Sequence, residues 1–220
     1  MTFWILTILA AILTLLFIRK FPFIWMSAGD KGEYHVEKRL KKLDKEKYFV
    51  INDLLIQRKN GRTSQIDHVV VSPYGIFVIE TKNISGYIYG SEYGKKWVRH
   101  WKGYKRGGYY GEDTLEFDNP VLQNGAHVKA LYEHLGHYAP KLIPIIAFSP
   151  EATLKVIVDD VCVTYWTEIT DIIKRYHEEV ISVEQAQEIY HLLLTLNIQD
   201  EKARQQHVIR ASINKNNYKE

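Results

Sequence analysis

The feature that most constrains the fold is a pair of apolar runs that are joined by a four-residue turn and end in charged residues. Residues 65–71 form the first run, residues 72–75 the turn, and residues 76–82 the second run. Two strand-like runs around a tight turn are typical of a β-hairpin. Side chains alternate along a strand, so we expect Glu80 and Lys82 to share one face, with Asp67 on the neighbouring strand.

The same hairpin brings two carboxylates and an ammonium to the rim of an apolar sheet. Charges are rarely placed there unless they are paired or hold a metal. An acid on one strand and Glu-x-Lys on the next is the pattern that a metal-dependent phosphodiesterase site requires. Structural ion pairs of Asp67 and Glu80 with Lys82 or an arginine are the alternative.

Composition indicates a packed domain and excludes several other classes. The chain has 220 residues, 46% hydrophobic and 25% charged, which suits one globular domain with an appendage. Cys162 is the one cysteine, so an internal disulfide is excluded and a reducing compartment is expected. The net charge of +3 does not by itself imply nucleic acid. The sequence contains no zinc-type cysteine and histidine spacing, no phosphate-binding glycine loop and no nucleophile elbow.

The N-terminal residues predict a membrane anchor. Residues 2–18 carry no charge and would span about 25 Å as a helix, against a hydrocarbon core of about 30 Å. Arg19 and Lys20 follow directly, so the positive-inside tendency places the C-terminal bulk in the cytoplasm. We therefore expect a single-pass protein of the cell membrane, with residues 2–18 in the lipid bilayer. A cleaved signal peptide and a buried core helix are the alternatives.

Hydrophobic periodicity predicts a series of strands and helices after the anchor. Asn119-Pro120 has the residue types of an N-cap followed by the first helical position. The predicted strands cover residues 48–56, 66–71, 76–82, 86–90, 97–101, 142–148, 155–158 and 161–165, and the predicted helices cover residues 30–44, 120–135, 168–176 and 183–196.

This order predicts a mixed α/β or α+β domain with helices packed on a central sheet. We divide the chain into a membrane anchor with an interfacial segment (1–26), a globular domain (27–199) and a polar C-terminal tail (200–220). We expect the last residues of the tail to be loose.

Four motifs recur in the order found in the NERD (nuclease-related domain) family of the PD-(D/E)xK nuclease superfamily. The sequence resembles that family over residues 29–135, which form the motif-bearing core. The motifs are Gly29-Asp30-Lys31-Gly32-Glu33, Gln65-Ile66-Asp67-His68 with the following valines, residues 74–83 with Gly86, and Asn119-Pro120-Val121-Leu122-Gln123-Asn124 with His127. The resemblance implies a restriction-endonuclease-like fold with a central mixed sheet flanked by helices.

The resemblance also implies a role for each site residue. Asp67, Glu80 and the backbone carbonyl of Thr81 would bind Mg²⁺, for which Mn²⁺ would substitute. Lys82 would orient or help to deprotonate the attacking water. Glu33 would complete the acidic cluster and Gln123 would position a ligand or the phosphate, so the implied catalytic set is Glu33, Asp67, Glu80, Lys82 and Gln123.

Three assignments among the motif residues have alternatives. Glu33 competes with Glu37, one turn later on the same helix face. Gln123 and His127 lie four residues apart, and a capping or packing network is the alternative to direct catalysis for them. Gln65 and His68 would point to opposite faces if their strand is regular, which favours a structural His68.

A basic stretch with interleaved aromatic residues is the candidate nucleic-acid surface. Cations contact phosphates and aromatic rings stack on bases. A solvated hairpin whose aromatic side chains pack on the domain, or a surface for anionic lipid, is the alternative. The candidate residues are Lys95, Lys96, Trp97, Arg99, Trp101, Lys102, Lys105 and Arg106.

These observations together predict a membrane-anchored, Mg²⁺-dependent nuclease that hydrolyses DNA phosphodiester bonds. A homodimer would suit an enzyme that cuts both strands. The alternative is an inactive module that binds nucleic acid or a protein partner at the cytoplasmic face of the membrane. Retention of Lys82 on the same face as Glu80 favours the nuclease.

Overall fold

The computed structural model describes residues 4, 7 and 8 and residues 26–104, 110–136 and 139–217. The predicted membrane anchor therefore lies outside the described residues except at isolated positions. Among the helices within those ranges, none has both the length and the apolar character that a membrane span needs.

The chain folds into two sheets with helices around them. The elements are α1 (Ala28–Leu40), β1 (Phe49–Gln57), β2 (Thr63–Ser72), β3 (Gly75–Lys82), β4 (Gly86–Ser91), β5 (Lys96–Tyr104), β6 (Tyr110–Asp118), α2 (Pro120–Leu135), β7 (Leu142–Phe148), β8 (Ala152–Ile157), β9 (Cys162–Tyr165), α3 (Ile169–Ile173), α4 (Val183–Leu196) and α5 (Glu201–Asn217).

Both sheets are mixed, which confirms the predicted α/β class. The large sheet has the order β1-β2-β3-β7-β9, in which the first two pairings are antiparallel and the last two parallel. The small sheet has the order β6-β5-β4-β8, and its β4–β8 pairing is parallel. The sequence predicted a single central sheet, whereas the strands after Lys82 divide between two.

Helices cover both faces of the large sheet, and the sheet separates two parts of the core. On one face, Ala130 and Leu131 of α2 and Leu193 of α4 pack against the strands. On the other face, Val36 of α1 and Ile169 of α3 do the same. A three-layer arrangement of this kind leaves the strand ends free to carry polar groups.

Two elements differ from the sequence prediction. Strand β6 was not predicted, because most of its residues are exposed and it pairs, within the described residues, only with β5 at the edge of the small sheet. Helix α5 was not predicted either, and it replaces most of the expected polar tail. Arg204 ties this helix to Asp53 of β1, a contact between residues far apart that local propensity does not reveal.

The turn of the predicted hairpin depends on Gly75. Its φ angle is 132°, a conformation that favours glycine. A Cβ atom at this position would lie 2.9 Å from the carbonyl oxygen of Lys141, which leads into β7. Gly75 therefore permits both the turn and the close approach of the strand that lies parallel to β3.

Candidate active site

The candidate site lies where β2 and β3 separate. Their ladder ends at the pair His68 and Ile79. Beyond this point the two backbones no longer pair. Instead, Asp67 Oδ2 accepts a hydrogen bond of 2.7 Å from the Thr81 backbone N–H. The N–H and C=O of one strand residue point to the same side, so the Thr81 carbonyl also faces Asp67.

A local irregularity in β1 and β2 sets the direction of Asp67. Side chains three positions apart, rather than two, share one core cluster in both strands: Ile51 with Leu54, and Ile66 with Val69. The flanking backbone pairs place Asp53 opposite Asp67, and Asp53 has a φ of 54°. The prediction that Gln65 and His68 face opposite sides assumed a regular strand, and β2 is not regular there.

Glu80, Lys82 and Gln123 form one hydrogen-bonded unit. The Lys82 ammonium donates to Glu80 Oε1 at 2.6 Å and to Gln123 Oε1 at 2.9 Å. This confirms that Glu80 and Lys82 share a face. Glu80 is only 2% exposed, so its charge depends on this partner and not on water.

His127 extends this unit from the next turn of α2. Its Nε2 lies 3.3 Å from Glu80 Oε2, and its Nδ1 shares a hydrogen bond of 2.8 Å with the Ser64 hydroxyl. Sequence spacing had placed His127 on the same face as Gln123. Ser64 carried no signal, because its role depends on the packing of α2 against β2.

Glu33 comes to the site because α1 approaches β3 closely. A Cβ atom on Gly32 would lie 2.8 Å from Asn83 Cβ, and the Asn83 amide donates to the Ala28 carbonyl at 2.7 Å. Glu33 lines the same cleft as Asp67 and Lys82. Glu37 instead pairs with Lys41 on the helix surface, so Glu33 is the glutamate of α1 that the structure brings to the site.

The carboxyl groups of the site have shifted pKa values. Burial, followed by the nearby Glu80 and Glu33 carboxylates, raises the pKa of Asp67 well above its usual range. Burial also raises the pKa of Glu33, to about 6, with help from Asp30. For Glu80, burial alone would raise the pKa, but Lys82 and His127 outweigh it and lower the pKa below its ordinary value.

The donor set suits a hard cation held by few protein ligands. Glu80 Oε2 is buried and has no hydrogen-bond partner, although the His127 ring is close to it. Mg²⁺ commonly uses one or two carboxylates and keeps several waters. Asp67, Glu80 and the Thr81 carbonyl fit this requirement. Within the described part of the chain, no three histidine, cysteine, aspartate or glutamate side chains converge as a metal-binding group.

An open cleft of about 780 Å³ gives access to these residues. Lys82, Gln123 and Asp67 line it near the strand ends, and Lys95 and Lys96 line it beside the start of α2. His207 and Ala211 of α5 also line it, which sequence analysis did not predict. The cleft is large enough for an extended polar substrate and not only for water.

The basic stretch is less positive than its sequence implied, because β6 supplies an acidic partner for each of three cations. Lys96 pairs with Asp118 at 2.6 Å and Lys102 pairs with Glu112 at 3.0 Å. Arg99 pairs in the same way with Asp113. Lys95 is exposed, and Lys105 and Arg106 lie outside the described residues.

The two tryptophans of this stretch differ from each other. The Trp97 ring is fully buried and stacks on Phe148 at a centroid distance of 6.0 Å. It therefore cannot stack on a base, and the prediction that Trp97 belongs to the nucleic-acid surface is wrong. Trp101 is half-buried.

His68 has the structural character that sequence analysis favoured. It is 1% exposed, and its Nδ1 shares a hydrogen bond of 2.8 Å with the Asn52 side chain. Burial lowers the pKa of His68 to about 4, so the ring is neutral at pH 7.

Comparison with known proteins assigns the family. The family model described as nuclease-related domain (NERD) matches residues 28–149, from the start of α1 to the end of β7. The chain belongs to the NERD family. An uncharacterized protein of Bacillus anthracis is 34% identical to this NERD protein over 183 residues, which cover 82% of each chain. Residues 150–217, including α5, lie beyond the NERD match.

Proposed function

We propose that this NERD protein is a metal-dependent nuclease that hydrolyses DNA phosphodiester bonds. The observation that supports the proposal best is the meeting of Asp67, Glu80 and Lys82 at separated strand ends beside an open cleft. Membership of the nuclease-related family supports the same reaction class. Displaced pKa values in a cleft are typical of functional sites.

Asp67, Glu80 and the Thr81 carbonyl would hold Mg²⁺, with Mn²⁺ as a substitute. The bound cation would withdraw charge from the scissile phosphate. Mg²⁺ suits this site because two carboxylates and a carbonyl are hard oxygen donors.

The remaining residues position the reactants. The Lys82 ammonium, held by Glu80 and Gln123, donates a hydrogen bond to the attacking water and offsets phosphate charge. The water oxygen forms a bond to phosphorus, and the bond from phosphorus to the leaving sugar oxygen breaks. That oxygen takes a proton from solvent, and the proton of the attacking water leaves through the acidic cluster that includes Glu33.

The test compares two lysine variants of the full chain. Lys82→Ala removes the ammonium from the site, and Lys41→Ala removes an exposed ammonium that pairs with Glu37 at the end of α1. Both proteins and the parent are incubated with linear, circular, single-stranded and branched DNA in Mg²⁺, Mn²⁺ or EDTA. We expect metal-dependent cleavage by the parent and by Lys41→Ala, and a loss of at least about 100-fold in Lys82→Ala.

Absence of cleavage in the parent, with folding and DNA binding intact, would overturn the nuclease proposal. That result would favour the alternative, a module that binds nucleic acid without hydrolysing it. Family membership alone does not decide between the two, because catalysis belongs to the site and not to the fold.

We also propose that residues 2–18 hold the protein at the cell membrane with its domain in the cytoplasm. The uncharged apolar run and the following Arg19 and Lys20 support this placement. The full chain should remain in the membrane fraction after an alkaline carbonate wash. Release of the full chain into the soluble fraction would contradict the proposal.

A further inference from the structure

A second cavity adjoins the candidate active site on the side of α5. It has a volume of about 410 Å³ and lies between the start of β2 and the C-terminal helix. Thr63, His207 and Ala211 line both this cavity and the active-site cleft, so the two adjoin along these residues. Helix α5 lies beyond the residues that match the NERD family.

The lining of this second cavity is basic. Arg62, His207 and Arg210 contribute to it and no acidic side chain does. Within the described residues, neither Arg62 nor Arg210 forms an ion pair. This distinguishes them from Lys96, Arg99 and Lys102 of β5, which each face an acid on β6. Cations that are not already paired can bind an anion without first losing a partner.

Helix α5 is held in a defined position beside the site. Arg204 donates to Asp53 Oδ2 at 2.6 Å and to the Ile198 carbonyl at 2.8 Å. His207 Nδ1 and Thr63 Oγ1 lie 2.7 Å apart. Burial, together with His127, Arg204 and Arg210, lowers the pKa of His207, as expected where the local potential is positive.

Helix α2 shows that cations lie on both sides of Lys82. Along this helix, Asn119 contacts the Lys95 backbone, Gln123 contacts Lys82 and His127 contacts Ser64, which adjoins Thr63. Eight residues of helix from Asn119 to His127 span about 12 Å. Phosphates of one B-form strand recur every ~3.4 Å along the axis, so this distance corresponds to several nucleotides of one strand.

We propose that the cavity formed by Arg62, His207 and Arg210 binds backbone phosphates of the DNA strand whose scissile phosphate lies at Lys82. The strand runs past Lys95 and Lys96 on one side of the site and past α5 on the other. This subsite rests on the proposed nuclease function, because it gives the path of that enzyme's substrate.

The test measures DNA binding by the full chain in EDTA, where the proposed enzyme does not cut. A fluorescein-labelled single strand of 24 nucleotides is titrated by fluorescence anisotropy over a series of salt concentrations. The variant is Arg62→Ala with Arg210→Ala. The matched control is Lys174→Ala with Arg175→Ala, which removes the same charge after α3 on the other face of the large sheet.

We expect the arginine variant to bind at least about 10-fold more weakly at ~0.1 M salt. The negative slope of log K against log salt should become less steep by ~1.4, or ~0.7 for each phosphate contact that is lost. The control should bind within about two-fold of the parent, since it leaves both phosphate contacts in place. Arg62→Lys with Arg210→Lys keeps the charge and should retain most of the affinity.

Two binding results would overturn the subsite. Unchanged affinity and salt slope in the arginine variant would show that the cavity does not contact the strand. An equal loss in the control would show that only net charge matters. If the parent cuts DNA in Mg²⁺ and the arginine variant keeps the affinity and the salt slope of the parent, the subsite alone fails. If the parent neither binds nor cuts DNA, the proposed function fails together with it.

Discussion

The charged end of the large sheet and the charged hairpin of the small sheet contain the same residue types in opposite arrangements. At the end of β3, the acids Glu33, Asp67 and Glu80 surround one lysine, and Glu80 is almost completely buried. On β5 and β6, each of three cations faces one acid in exposed or half-exposed positions. Burial and an excess of acid displace pKa values, whereas matched surface pairs remain well solvated. The two regions therefore differ in their capacity to hold a cation.

The largest expected effect on stability comes from Glu80→Ala. This change leaves the Lys82 ammonium and the His127 ring without their carboxylate, and breaking a buried pair from one side costs several kcal/mol. We expect the free energy of unfolding in urea at pH 7, with EDTA, to fall by about 3 kcal/mol. Glu112→Ala on the small sheet should change it by less than about 0.5 kcal/mol. Equal losses in the two variants would remove the distinction between the regions.

Asp67→Asn should have opposite effects on stability and activity. Because burial and the neighbouring acids raise the pKa of Asp67, its ionised form is disfavoured in the folded protein. Asparagine keeps an oxygen that accepts from the Thr81 N–H. At pH 8 in EDTA we expect the free energy of unfolding to rise by about 1 kcal/mol. In Mg²⁺, we expect cleavage to fall at least ~100-fold. A less stable Asp67→Asn protein would contradict this account of the acidic cluster.

The irregular backbone beside the site can be tested with two substitutions of Asp53. Both Asp53→Gly and Asp53→Ala lose the contacts to Arg204 and Gln65, but only glycine adopts the φ of 54° without strain. We expect the alanine variant to be less stable than the glycine variant by about 1 kcal/mol, compared by urea unfolding. A more stable alanine variant would mean that the backbone relaxes and that Asp67 does not depend on this conformation.

Glu33 should make the stability of the folded protein depend on pH. Its pKa rises from 4.5 to about 6 on folding, so the folded protein binds the proton more tightly than the unfolded chain does. This contribution to stability is complete below pH 4.5 and is lost as pH rises through 6. The stability gained by Glu33→Gln over the parent should therefore increase between pH 4.5 and pH 7. A constant difference between the two proteins across this range would contradict the assignment.

The smallest effect is expected from Asp113→Asn, which releases Arg99 from its cross-strand partner. Exposed pairs contribute little, so the free energy of unfolding should change by less than about 0.5 kcal/mol, and added NaCl should reduce even that change. Thermal or urea unfolding at two salt concentrations measures it. A loss of free energy of unfolding above about 2 kcal/mol would show that this pair stabilises the fold as strongly as a buried pair does.

Local patterns predicted much of the fold. The central hairpin, the start of α2 at Asn119-Pro120 and the bounds of α4 agree with the structure, because turn residues, capping residues and apolar periodicity are local. Strand β6 and helix α5 were missed for the opposite reason. Their residues are mostly exposed, and a partner strand or a long-range contact holds each of them.

The candidate site was predictable only in part. The motif order identified Asp67, Glu80 and Lys82, and alternation along β3 placed the last two together. The prediction that Trp97 stacks on a base was wrong, because a tryptophan beside lysines suggests base stacking until its burial against Phe148 is known. The acids that pair with the basic stretch lie on a strand that was not recognised.

The sequence by itself determined which residue types occur at neighbouring strand positions, and hence that an acid, a glutamate and a lysine end an apolar hairpin. Only the tertiary structure decided which distant groups meet them. Gln123 contacts Lys82, which is 41 residues away in the sequence, and His207 contacts Thr63, which is 144 residues away. The physical reason is that side-chain alternation is a property of a few consecutive residues, whereas these contacts depend on sheet order and on how α2 and α5 pack against it.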